Sequence, residues 1–397
     1  MLVLVSAAAQ ADEAAPAPVF AVRTAAGTVV QGAWRELKAD WSVRVGEGDG
    51  SRIAGDNVLS VRRAGAALPP LPIDDHLVLA NGDRLPYKTL RLADEKFHLR
   101  HANLEGGEEA SVPLAAVSLL WRIAPDKTLD VERLRRRLAA ATRTRDTVCL
   151  RNGDLVAGTL TGLNAKNVEV EAESKRITVE MAQVAYIAFN TELADAPRPK
   201  GVYARLILTD TGVGGGRLSL TSASCDGATL TGVTVFGARL RVPLNKVAAL
   251  DLHHGRAVYL SDLKPIKYDH RPYLDAAWPY AVDANVVEHD LRLGGSTYDK
   301  GVGLHSHGRL SYRLSGAYRR FEALVGLDEK DGRRGQVRLR VLADGKALVD
   351  RERTLLDGPL PINVSVEGVR ELTLEVDFGR EADVEDVVNW VDARLVK

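Results

Sequence analysis

Gly294-Gly295-Ser296-Thr297-Tyr298-Asp299-Lys300-Gly301-Val302-Gly303-Leu304-His305-Ser306 is the stretch on which the reading of this chain turns. Spaced glycines, one aromatic, one lysine and one histidine lead directly into an apolar segment. Further blocks follow in order: Arg320 to Glu329, Val337 to Val341 with Asp344-Gly345-Lys346, Leu372 to Gly379, and Asn389-Trp390-Val391-Asp392-Ala393-Arg394-Leu395. Val337, Leu339 and Val341 alternate, as do Leu372, Leu374 and Val376, while Thr373 and Glu375 fall on the opposite face. A period of two marks strands with one buried face. Asp344-Gly345 supplies a tight hairpin between two of them. Strands and turns at this density predict an antiparallel β-sandwich over residues 256–397, with Gly295, Gly301 and Gly303 at turns that need an unusual φ.

Upstream the chain repeats itself. Leu79-Ala80-Asn81-Gly82-Asp83-Arg84-Leu85 and Leu150-Arg151-Asn152-Gly153-Asp154-Leu155-Val156 place Asn-Gly-Asp between alternating apolar positions. Asn and Gly tolerate the positive φ of a two-residue hairpin turn. Fainter copies start near Gly27 and Gly212. Each copy also closes alike: Val112-Pro113-Leu114-Ala115-Ala116-Val117 matches Val242-Pro243-Leu244-Asn245-Lys246-Val247, with Val179 to Val184 a third version and Asn57-Val58 a weak first. The spacing from turn glycine to closing valine is similar in all four, which identifies a repeat. Units of this size, built from short alternating strands, fit small barrels of SH3-like or Sm-like kind. The expected division is a leader over 1–18, barrels over 19–66, 74–125, 146–192 and 202–254, and a linker helix over 128–145. The fold class is therefore all-β: tandem small barrels with one helix, then a sandwich.

That helix carries Val131, Leu134, Leu138 and Ala141 at helical spacing and Arg133, Arg135, Arg136, Arg137, Arg143 and Arg145 elsewhere. An arginine-rich face suits a polyanion, but a solvated linker is the simpler expectation. Lys plus Arg and Asp plus Glu are both 53, so no overall field draws in nucleic acid. Proline runs at Leu68 to Pro72 and Ala196 to Pro199 read as linkers. Met1 to Ala11 is a short apolar run ending in Ala9-Gln10-Ala11, which fits a cleaved export signal lacking its basic start, and no other stretch is apolar over the ~20 residues a membrane span needs. Cys149 and Cys225 are the only cysteines, which excludes a disulfide scaffold; two buried thiols are expected, with a single bridge as the alternative.

The C-terminal blocks resemble the NPCBM/NEW2 domain, a carbohydrate-binding module often attached to glycoside hydrolases such as those of family 98. It is similar to carbohydrate-binding module family 51. The resemblance implies a galactose-binding-like jelly roll and a glycan ligand, galactose-type sugars first among them. An aromatic face to stack on a pyranose and polar groups for its hydroxyls make Tyr298, Lys300, His305, Asp328, Trp390 and Asp392 the candidate ligand-binding residues. For Tyr298 and Trp390 a place in the core is the competing expectation, and for His305 a buried, hydrogen-bonded one. Asp328, Glu329 and Asp331 could supply oxygens to a structural calcium, and no other cofactor is expected. His305 and His307, two apart on a strand, would share a face, yet they lack cysteine and acidic partners for zinc.

No G-x-S-x-G, H-E-x-x-H or P-loop motif occurs, and Gly212 to Gly216 lacks the Lys-Ser/Thr of a phosphate loop. The expected function is an exported, non-catalytic glycan-binding protein whose barrels serve as spacers or dock cell-surface proteins. The alternatives are a protein-interaction module that no longer binds sugar and, behind it, a hydrolase.

Overall fold

A computed structural model describes residues 18–100, 109–194, 199–380 and 382–397. The expected leader, apart from Pro18, and most of the proline run at Ala196 to Pro199 lie outside the described residues. Among the described residues the fold is all-β with one α-helix, Val131–Ala140.

Four small units precede the sandwich, and each ends the same way. A one-turn 3-10 helix (Gly55–Asn57, Leu114–Ala116, Met181–Gln183, Leu244–Lys246) leads into a closing strand, Val58–Arg63, Val117–Trp121, Val184–Ala188 or Val247–His253. That strand pairs back onto the first strand of its own unit. The first turns are three-residue loops rather than the expected two-residue ones. Leu79 N donates to Asp83 O and Gly82 N to Leu79 O, and Leu150 and Gly153 do likewise across the second Asn-Gly-Asp. Only the glycines, at φ 85° and 94°, take the left-handed conformation, while each asparagine side chain accepts the Asp N–H two residues on.

The repeats follow one another in sequence but pair in nested fashion. Val58–Arg63 of the first unit lies antiparallel to Val247–His253 of the fourth, with Val61 opposite Leu250. Val117–Trp121 of the second lies antiparallel to Val184–Ala188 of the third, with Leu120 opposite Ile187. In both seams the fourth residue of one closing strand faces the fourth of the other, so each pair is related by a local pseudo-twofold at the same register. A single buried cluster, including Phe20, Trp34, Phe97, Phe189 and Leu206, draws on all four units.

The C-terminal sandwich has two antiparallel sheets. One runs in the order Ala281–Val282, Gly301–His305, Val387–Val396, Arg320–Leu327, Leu360–Ser365; the other Lys267–His270, Gly308–Arg313, Glu371–Phe378, Gln336–Ala343, Lys346–Thr354. Their inner faces enclose Val337, Leu339, Val341, Leu372, Leu374 and Val376, as alternation predicts, around Tyr312, Phe321 and Trp390. Asp344 and Gly345, at φ 47° and 81°, form the expected hairpin. Gly301 and Gly303 depart from expectation, because neither has a positive φ. Glycine is needed there for space: a Cβ would stand 2.5 Å from Trp390 O and Ala284 O respectively.

The helix neither floats in solvent nor presents a free basic face. Leu134, Leu138 and Ala139 pack on Leu119, Trp121 and Tyr186 over the second seam. Its charged side bolts onto the sandwich: Arg133 and Arg137 donate to Glu288 at 3.0 and 2.8 Å, Arg136 to Asp290 at 3.2 Å, and Glu132 accepts from Arg292 at 2.9 Å. The Leu68–Pro72 run is likewise a packed strap, with Leu68 N on Ser296 Oγ at 3.0 Å and Pro69 O on Arg217 at 2.7 Å.

Candidate functional site

The six sequence candidates do not converge. Trp390 is fully buried in the sandwich core, so it cannot stack on a sugar. Asp328 is also fully buried; its carboxylate accepts the N–H groups of Lys330 and Asp331 at 2.9 Å and Asn389 Nδ2 at 2.6 Å, which ties down a turn. Tyr298, Lys300 and Asp392 face the barrels. Lys300 bridges Asp262 and Asp283 at 2.5 and 2.9 Å. Asp392 accepts from Arg62 of the first barrel at 3.0 Å. Burial pushes the Asp392 carboxyl up, the Arg62 guanidinium outweighs it, and the net displacement is downward. Of the proposed calcium ligands, Glu329 accepts Gly295 N and Asp331 is held by His289 and Asn285. No cluster of three metal-ligating side chains occurs among the described residues.

His305 alone of the six lies beneath a cluster of partly exposed aromatic side chains at one rim of the sandwich. It ends the strand Gly301–His305, while His307 lies in the turn beyond, so the two do not share a strand face. His305 is buried and stacks on Trp278, with ring centroids 4.6 Å apart and planes 10° from parallel. His270 meets it edge-on at 6.4 Å. Ser306 O accepts from His305 Nδ1 at 2.9 Å and from His270 Nε2 at 3.1 Å. A carbonyl only accepts, so both donating nitrogens carry hydrogen, and neutral His305 keeps Nε2 as an acceptor. Burial lowers the His305 pKa, which favours that neutral form.

Beside it lies a second aromatic group. His307 Nδ1 bonds Asp377 at 2.8 Å, its ring leans on Phe378 at 5.6 Å, and Tyr273 packs edge-on against Phe378 at 5.7 Å. Tyr273 is 57% exposed and Leu274 75%. Underneath, buried Asp386 accepts Ser306 Oγ at 2.5 Å; desolvation drives its carboxyl up to about 7, only partly opposed by that bond. Half-buried rings beside oriented imidazoles and carboxylates give flat apolar faces with hydrogen-bonding edges, which is the chemistry a pyranose requires.

Trp278, His270, Tyr273, Phe378 and Asp377 escaped the sequence reading. A signal existed: Tyr268, Tyr273, Trp278 and Tyr280 fall within thirteen residues of a chain only 5% aromatic. They lie between recognisable strands, in a segment whose alternation is too weak to place them.

Residues 256–396 match the NPCBM/NEW2 domain family. Over 108 residues, 27% of this chain, it is 38% identical to the "Putative endo-alpha-N-acetylgalactosaminidase" of Renibacterium salmoninarum. The chain spans only 7% of that relative's length. Among solved structures it is similar to CBM51 from Clostridium perfringens GH95 in complex with methyl-galactose, at 27% identity over 35% of this chain and 99% of that one, with a TM-score of 0.32. It is also similar to the tandem CBM51 modules of Sp3GH98 from Streptococcus pneumoniae, at 13% identity over 63% of this chain and 87% of that one, with a TM-score of 0.32.

Proposed function

We propose, from the premise that residues 256–396 are an NPCBM/NEW2 domain, that this chain is an exported, non-catalytic glycan-binding protein whose sandwich rim takes a galactose-type residue. The observation that carries the reading is the rim: Trp278 and His305 stacked, with Tyr273, Phe378 and the His307–Asp377 pair beside them. Trp278 offers the stacking face, and His305 Nε2 and the Asp377 carboxylate bond sugar hydroxyls. The barrels brace the module through the helix and Arg62 rather than reaching the rim themselves. Among the described residues no helix is long and apolar enough to cross a membrane.

Calorimetric titration of the full chain with methyl-galactoside and with host-type polysaccharides tests this. Saturable binding, lost in Trp278→Ala without a change in Tm, supports it. No heat at millimolar sugar refutes it and favours the second reading, a protein-interaction module. That reading draws support from Asp392 and Tyr298, which are spent on contacts with the barrels, and from Lys300, which is spent on Asp262 and Asp283 within the sandwich. Turnover of polysaccharide by the full chain would overturn the non-catalytic assignment.

A further inference from the structure

Where the first, second and fourth barrels meet the sandwich there is a cavity of about 240 Å³, lined by five arginines and one lysine against four aspartates. It shares no residue with the rim. The four carboxylates are already engaged. Asp299 lies between Arg205 at 3.2 Å and Arg217 at 3.0 Å. Asp251 and Asp392 both hold Arg62, and Asp283 holds Lys300. Arg84 is left over. Among the described residues no carboxylate forms an ion pair with it, although Asp290 and Asp299 act on its charge from farther off, and its Nη1 is buried without a hydrogen-bond partner; Arg136 Nε, also on the cavity lining, is in the same state.

The backbone makes this arrangement costly. Arg84 stands directly opposite Arg217 in the pairing of the second barrel with the fourth. Like charges facing each other across strands destabilise the pair. A buried donor left unpaired costs its desolvation as well. Burial holds the Arg84 pKa down at about 10, so the side chain nevertheless keeps its proton at neutral pH. A planar guanidinium with an unpartnered Nη1, facing a partly open cavity among other cations, is suited to receive a planar or tetrahedral oxyanion.

We infer that this cavity binds a small oxyanion, either a free ion or the carboxylate or sulfate of one acidic saccharide unit, with Arg84 as its principal ligand and Arg136 Nε as a second donor. The volume admits one such group with its waters and lies below the range of pockets for larger organic ligands. The site is independent of galactose binding at the rim.

The test is calorimetry on the full chain at constant ionic strength, with sodium sulfate, inorganic phosphate, galacturonate and neutral galactose as probes and chloride as the background anion. Saturable binding of sulfate, phosphate and galacturonate is expected, and loss of one charge-assisted contact in Arg84→Met should weaken it by about tenfold or more. Binding of all three alike assigns the site to free ions, and binding of galacturonate alone assigns it to an acidic saccharide; either upholds the proposal. Arg84→Met should also keep or raise the ligand-free Tm, because it removes an unpaired like charge. Absence of saturable anion binding, undiminished binding in Arg84→Met, or a ligand-free Tm that falls in that variant would each overturn it. Arg84→Lys serves as the conservative control: it keeps the charge but not the fork, and should recover only part of the affinity.

Discussion

His289 joins the helix to the sandwich, and its protonation should set the alkaline limit of that joint. Its Nδ1 lies 2.7 Å from Asp331 and its Nε2 2.9 Å from Asp130, the residue that caps the helix. The bond to Asp331 raises the imidazole pKa, burial opposes it, and the bond to Asp130 adds to the rise, which reaches about 9 from an ordinary 6.5. A group whose pKa rises on folding stabilises fully below its unfolded pKa and stops stabilising as pH climbs through the folded value. The contribution should therefore be complete below about pH 6.5 and gone above about pH 9. At about 1.4 kcal/mol per pH unit the rise caps it near ~3 kcal/mol. The Asp130 carboxylate is 38% exposed, so screening leaves about 1–2 kcal/mol. The perturbation is His289→Gln, which keeps a neutral hydrogen-bonding side chain. The assay is urea unfolding of wild type and variant at intervals from pH 6 to 10, with amide exchange across residues 131–140 as a local probe. The stability difference should shrink from about 1–2 kcal/mol to near zero across that range. A difference that stays constant with pH would refute the assignment of a charged His289. Asp130 and Asp331 run the other way: burial pushes each up, hydrogen bonds outweigh it, and their net lowering means that their stabilisation is lost in acid.

Gly303→Ala forces a Cβ to 2.5 Å from Ala284 O and should cost about 1–3 kcal/mol by chemical denaturation, with no special φ to blame. Arg394 and Glu322 form a buried pair at 2.9 Å; Arg394→Leu should cost about 3 kcal/mol or more, and adding Glu322→Leu should recover part of that in a double-mutant cycle. Cys149 and Cys225 are free and buried, on different barrels, and desolvation raises both thiols, Cys225 to about 11. Neither should react with a thiol reagent in the native state, and both should react after unfolding. Trp390→Ala should lower stability by about 3–5 kcal/mol through the cavity it leaves, in contrast to Trp278→Ala at the rim.

The strands of the sandwich were legible because each buries one face, and a period of two survives in Val337, Leu339 and Val341 whatever their neighbours do. The repeat was legible because the Val-Pro-Leu ending is a geometric device, a one-turn helix followed by a seam strand. What escaped depends on long-range pairing. Nothing local in Val61 or Leu250 says that the first barrel meets the fourth. The arginines of the helix have the composition of a polyanion site, and only the loop carrying Glu288 and Asp290, some 150 residues away in sequence, converts them into bolts. Lys300 and Asp392 sit in a family pattern and still point inward, because the barrels cover that side of the sandwich. His270, Tyr273 and Trp278 come from a segment with little periodicity, and Asp377 and Phe378 end an alternating strand with nothing local to mark them, so the convergence on His305 was readable only as an aromatic density.

The nested seams impose an order of assembly on a chain made from its N-terminus. The second and third barrels possess both halves of their seam once residue 188 has been synthesised, whereas the closing strand of the first waits for residues 247–253. Until then that strand presents bare backbone donors and acceptors at an open edge, the condition under which nascent β-proteins capture wrong neighbours. The inner couple can mature early as a nucleus, and the arrival of the fourth barrel then shields the oldest edge in the molecule. Deleting either member of an outer couple would strand its mate, so these barrels behave as inseparable twins rather than as beads that can be gained or lost singly.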